Sequence, residues 1–183
     1  MRMLPIAYYC YYKKLNEKKI YQIVKNISSL THAHQVSVLG CYIYVSYVIN
    51  LLNGKDKFES YKEIQKKDYS MFHEEFLGMY KRILEDDIRK YDIDDIKSSG
   101  YIVDTLEASL WVVLKTKNFK ETIIGAVNLG EDTDTVGAVA GSMVGILYGY
   151  DSIPKEWLDT LVKREYLEEL CDEFEIELKG NIN

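Results

Sequence analysis

Apolar positions recur along this chain at helical spacing almost from end to end. Ile20, Ile23, Val24 and Ile27 give one apolar face to a helix over residues 16 to about 29, with Asn16 suited to cap its start. Residues 36–52 carry no charge over 17 positions, which predicts a helix from about 34 to 52 buried on every side. Asn53-Gly54 supplies a left-handed stop. Two amphipathic helices follow, over about 58–67 and 72–90, and then a polar loop over 91–99. Leu106, Leu110, Trp111, Val113 and Leu114 mark a helix to about 115, with Asp104 and Glu107 as a capping-box-like start. Asn118 and Glu121 repeat that logic for a helix ending near Leu129-Gly130, and Pro5 fits the first turn of an N-terminal helix. No segment alternates with period two between turn signals. The predicted class is all-α, a compact multi-helix bundle.

The stretch from Leu129 to Gly149, LGEDTDTVGAVAGSMVGILYG, departs from ordinary amphipathic patterning. Asp132, Thr133, Asp134 and Thr135 occupy four consecutive positions ahead of an uncharged segment over 136–150. Within it Gly137, Gly141, Gly145 and Gly149 recur every fourth residue, a stripe of a helix without side chains. Such a stripe admits a closely packed neighbour, at a propensity cost of about 1 kcal/mol per glycine relative to alanine. The two carboxylates have two readings, both open on the residues alone. They cap the helix and favour its dipole, or they are hard oxygen ligands for a cation. A calcium loop is excluded, because counting from Asp132 puts Met143 at the twelfth position, where a bidentate Glu is required. Magnesium, commonly held by one or two carboxylates plus waters, fits the residue types better.

Composition narrows the picture modestly. The length of 183 residues suits a single domain over 1–183. Residues 151–183 hold ten acids against four bases, a net of −6 that equals the whole-chain charge, and read as an acidic helical tail. The rest balances, which argues against a nucleic-acid partner, since phosphate binding needs a clustered basic excess. Cys10, Cys41 and Cys171 are widely spaced and odd in number, which predicts reduced, buried thiols and a cytoplasmic protein, without a zinc site. The uncharged run at 36–52 sits at the lower length limit for a membrane span. Ser37, Ser46, Asn50 and three tyrosines within it favour a core helix and no membrane partner. The apolar start, MLPIAYYCYYK over 3–13, has no polar lead and predicts a chain cut from something longer, with self-association through exposed core.

Gly130-Glu-Asp-Thr-Asp-Thr135 with its glycine helix resembles the C-terminal signature of the ADP-ribosylglycohydrolase family. Gly100-Tyr-Ile-Val-Asp-Thr-Leu-Glu-Ala108, Val127-Asn-Leu129 and Ile153-Pro-x-x-Trp157 are similar to further family segments, as are Met1-Arg-Met-Leu-Pro-Ile-Ala7 and Thr31-His32. Together they span residues 1 to about 160 in family order. The resemblance implies an orthogonal helical bundle of that family's fold and a hydrolase that cleaves the glycosidic bond between ADP-ribose and an acceptor. It implies two Mg2+ ions, with Asp132 and Asp134 as catalytic residues and Asp132, Asp134 and Thr135 as metal ligands. His32, Gly100 and Tyr101 become candidate contacts to ADP-ribose or an ADP-ribosylated substrate. Local capping remains the alternative for His32, and packing the alternative for Tyr101.

Two departures temper that expectation. The family's Thr-Asp-Asp ligand triple does not occur here, and Asp86-Asp87 and Asp94-Asp95 follow Glu85 and Ile93 rather than Thr or Ser. The chain is therefore expected to be an N-terminally truncated form holding half of a dimagnesium site, with little activity alone. A non-catalytic ADP-ribose-binding module, or a subunit completed by a separate N-terminal half, are the alternative functions. Glu131 stands where the family usually has glycine.

Overall fold

The computed structural model describes residues 2–180, so Met1 of the Met-Arg segment lies outside the described residues. All regular elements there are helical. They run α1 (Leu4–Tyr12), α2 (Glu17–Ser29), α3 (Gln35–Leu52), α4 (Lys57–Lys66), α5 (Glu74–Met79), α6 (Lys81–Leu84), α7 (Ile102–Lys115), α8 (Phe119–Val127), α9 (Thr133–Tyr148), α10 (Lys155–Leu158) and α11 (Arg164–Gly180), with short 3-10 turns between. Helix α3 is the hub, packed by α1, α2, α4, α5, α7 and α9. Its uncharged sequence is thereby explained, since 67% of it is buried inside the protein. The site-bearing layer is α7, α8 and α9, each packed on the other two.

The caps readable from sequence form as local chemistry dictates. Asn16 Oδ1 accepts from the Lys19 amide at 3.0 Å and Asn118 Oδ1 from the Glu121 amide at 2.8 Å. Gly54 adopts φ +82° just after α3. Three expectations need correction. The segment 72–90 is not one helix but α5, α6 and a 3-10 turn at Ile88–Lys90. Tyr80, fully buried, donates its hydroxyl to the Val36 carbonyl of α3 at 2.8 Å, and its backbone (φ −102°, ψ 12°) breaks the helix there. Asp104 is not an N-cap either, because α7 starts two residues earlier, and Glu107 is turned inward to pair with Arg82 at 3.2 Å. The cysteines are free, but Cys171 on α11 is exposed rather than buried.

The glycine stripe is used in half its length. A Cβ on Gly141 would lie 3.0 Å from Ile123 of α8, and one on Gly137 would lie 3.6 Å from Val127. Gly145 and Gly149 face nothing within 4 Å, and Gly149 serves instead as a left-handed stop at φ +78°. Across the hub, Tyr44 and Ser142 share a hydrogen bond of 2.7 Å between α3 and α9.

An electrostatic clamp joins α2 to the hub. Glu17 accepts from buried Tyr42 at 2.7 Å and pairs with Lys67 at 2.5 Å. Partial burial alone would raise the Glu17 carboxyl, yet the hydrogen bonds from Lys67 and Tyr42 hold it below its ordinary 4.5. A carboxyl depressed in the folded state contributes stability above its unfolded value and loses it as pH falls through the folded one. Glu17→Gln is therefore expected to narrow the gap in Tm between neutral pH and about pH 3 by roughly 1–3 °C, the scale of a half-exposed pair. Thermal scans at the two pH values check this.

Candidate functional site

The acidic turn is built by two chain segments lying side by side. The first is 98–101, delivered by the polar loop ahead of α7. Arg82 pins that loop, stacking over the Tyr91 ring at 3.8 Å and donating to the Asp95 carbonyl at 3.1 Å. Trp111 of α7 adds a bond to the Tyr91 carbonyl at 3.0 Å. Arg82 also meets Glu107, whose carboxyl is raised by burial and pulled partly back by that guanidinium.

The second segment is 129–135. Gly130 (φ +87°) and Glu131 (φ +49°) are consecutive left-handed residues, and together they swing the chain into α9. The position that the resemblance associates with glycine is thus one where glycine is unstrained. Glu131 holds that conformation at a cost of about 1 kcal/mol.

Asp132 occupies the N-cap position of α9 but makes no side-chain capping bond. Its Oδ1 instead accepts from the Thr135 side-chain hydroxyl in the first turn of α9 at 2.9 Å. Its amide donates to the Ser98 carbonyl at 3.0 Å. The carboxylate lies against the bare backbone of Gly100, where a Cβ would sit 2.8 Å from Oδ2. Sequence reasoning therefore named three residues that meet here: Gly100, Asp132 and Thr135. Asp134 projects from the first turn of α9 and is exposed. Tyr101 is 50% exposed, with its hydroxyl 3.7 Å from Met79 Sδ. His32 sits on the α2–α3 connection. It is exposed and bonds locally, Nδ1 to the Thr31 hydroxyl at 2.8 Å, while Arg2 donates to that same hydroxyl. The cap of α3 is His34, not His32.

Sequence reasoning missed the serines. Ser98, 2% exposed, donates its hydroxyl between the Leu129 and Gly130 carbonyls at 3.3 and 3.0 Å. Ser99 donates to Asp104 Oδ2 at 2.6 Å and accepts from the Tyr101 amide at 3.2 Å, while its carbonyl accepts from Thr105 at 3.0 Å. Two adjacent hydroxyls directly before Gly100 were the available signal.

Can this set hold a cation? Among the described residues no group of three or more His, Cys, Asp or Glu side chains converges on one point. Asp132 and Thr135 nevertheless place a carboxylate and a hydroxyl 2.9 Å apart, with the hydroxyl proton donated to Asp132 and its oxygen keeping acceptor capacity. Hard oxygens of this kind suit magnesium as part of a ligand shell that water completes.

The fold and this turn define an all-helical protein with an oxygen-rich turn at the N-terminus of a glycine-striped helix. The ADP-ribosylglycohydrolase family model matches residues 1–182, and the chain belongs to that family. ADP-ribosylarginine hydrolase Tri1 of Serratia proteamaculans is 36% identical over 150 residues, covering 80% of this chain and 38% of that protein. The ADP-ribosyl-[dinitrogen reductase] glycohydrolase of Rhodospirillum rubrum is 33% identical over 141 residues, 74% of this chain and 42% of that protein. A solved ADP-ribosylglycohydrolase-related protein complex superposes with a TM-score of 0.73 at 26% identity, covering 90% of this chain and 54% of the other. The chain thus spans about two-fifths of these curated relatives.

Proposed function

We propose that this chain acts in hydrolysis of the bond between ADP-ribose and an arginine side chain, as part of a magnesium-dependent site. The observation that carries this is the 36% identity to a protein named as an ADP-ribosylarginine hydrolase, over a stretch covering 80% of this chain. The reaction breaks the bond from the anomeric carbon to the acceptor nitrogen, giving water's oxygen to that carbon and a proton to the acceptor. Asp132 and Asp134 orient the ribose end and the attacking water, with Thr135 as the third ligand on this side. Bound magnesium supplies a template for the sugar and a more acidic water. Gly100 lets substrate and the Asp132 carboxylate share one bare backbone, Tyr101 offers an exposed ring for stacking on a base, and His32 contributes a polar contact. The remaining ligands come from outside this turn, supplied by a further polypeptide segment. The free thiols accord with a reducing, cytoplasmic setting.

The lack of a converging three-ligand group among the described residues favours a second reading, ADP-ribose binding without turnover. One experiment separates the two. The purified chain is titrated with ADP-ribose in the presence and absence of Mg2+, and release of ADP-ribose from an ADP-ribosylated arginine peptide is followed in parallel. Binding that needs Mg2+ and falls at least about tenfold in Asp134→Ala is expected, the scale for a lost partner at a metal site. Binding with release supports hydrolysis, and binding without release supports the second reading. No binding in either condition removes both.

A further inference from the structure

The acidic turn is not self-supporting, and the way it is held points to a residue that acts through another. Its two left-handed residues, Gly130 and Glu131, turn the chain between α8 and α9 just after the Leu129 carbonyl. The buried Ser98 hydroxyl reaches both, at 3.3 and 3.0 Å. The Ser98 carbonyl meanwhile takes the Asp132 amide at 3.0 Å, so one residue grips the turn before and after its strained pair. The next residue but one, Gly100, is the surface on which the Asp132 carboxylate rests. Register between the two segments therefore decides where Oδ1 and Oδ2 point.

We infer that Ser98 is a positioning residue for Asp132, fixing the carboxylate in the orientation that a cation and a ribose hydroxyl require. This rests on the magnesium-site reading above and deepens it. An apolar side chain at this buried position leaves the Leu129 and Gly130 carbonyls without the hydroxyl donor that now reaches both. The Ser99 bonds to Asp104 and Thr105 anchor the same strand to α7, so a loosened Ser98 leaves the strand attached while the turn slips. The effect falls on the geometry of the turn rather than on the fold.

The test is Mg2+ titration of the full chain by calorimetry, with wild type, Ser98→Ala and Ser98→Thr compared and Tm measured for each. Ser98→Ala is expected to weaken Mg2+ binding by about tenfold, the scale for an outer-shell partner of a metal ligand. Ser98→Thr, which keeps the hydroxyl, is expected to recover most of the affinity. Hydrogen exchange of the Asp132 amide in Ser98→Ala is expected to quicken several-fold while amides of α7 do not change. Equal Mg2+ affinity in wild type and Ser98→Ala would overturn the inference and leave the metal reading standing. Loss in proportion to a collapse in Tm would overturn it too, by making the role one of folding. No Mg2+ binding by wild type would remove the metal reading and this inference with it.

Discussion

Gly100→Ala is expected to disable the Asp132 carboxylate while leaving the protein as stable as before or slightly more so. Gly100 is exposed, and its φ lies outside the left-handed region, so its backbone accepts alanine without strain. Replacing a glycine there stabilises by about 0.4–1 kcal/mol, because the unfolded chain loses freedom. The new methyl carbon meets one obstacle, Asp132 Oδ2 at 2.8 Å, with the Asp132 carboxyl carbon behind it at 3.7 Å. The carboxylate is the part that can move. Rotating away from Gly100 withdraws Oδ1 from the Thr135 hydroxyl and undoes that pairing. On the magnesium site proposed above, Mg2+ affinity is expected to fall at least about tenfold, on the scale of metal sites that lose a supporting contact. Calorimetric titration with Mg2+ beside a thermal scan reads both quantities. A variant that binds Mg2+ like wild type would show that Asp132 does not need this bare backbone.

That separation of stability from site geometry matches what could be read in advance. Helices α2, α3 and α8 were legible because their signals are local: Asn16 and Asn118 cap from three residues away, and the uncharged run of α3 states its own burial. The acidic turn was legible for the same reason, as a cluster of carboxylates and hydroxyls in sequence. The orientation of Asp132 was not, since an aspartate at a helix start caps a backbone amide as readily as it meets a side-chain hydroxyl, and the 98–101 segment packed against it is distant in sequence. Ser98 sits 31 positions from the carbonyl it serves, and Tyr80 sits 44 from Val36. Periodicity carries no trace of such pairings. The break within 72–90 is therefore invisible to pattern, although its sequence is amphipathic throughout.

The Tyr80 contact yields the second large effect, at Gly40 in the middle of α3. By helix propensity alone, Gly40→Ala gains about 1 kcal/mol. The structure reverses that sign. An added Cβ would collide with the Tyr80 hydroxyl and sit 3.0 Å from two side-chain carbons of Ile102, in a region where Tyr80, Leu39 and Ile43 are fully buried. Overpacking of this kind costs about 1–3 kcal/mol, so a fall in Tm of roughly 3–10 °C is expected for a chain of this size. Tyr80→Phe alone removes the bond to Val36 and costs about 1 kcal/mol. In the double variant the colliding oxygen is gone, so the two losses are expected to fall short of their sum by about 1 kcal/mol or more. Strict additivity in denaturant titrations would show that the hydroxyl is not the obstacle. The same cycle reaches the candidate site, because Ile102 opens α7 directly after Tyr101. Pushing Ile102 outward shifts the strand that carries Gly100 and Ser98, so Mg2+ affinity is expected to drop in Gly40→Ala and to recover in part when Tyr80→Phe is added.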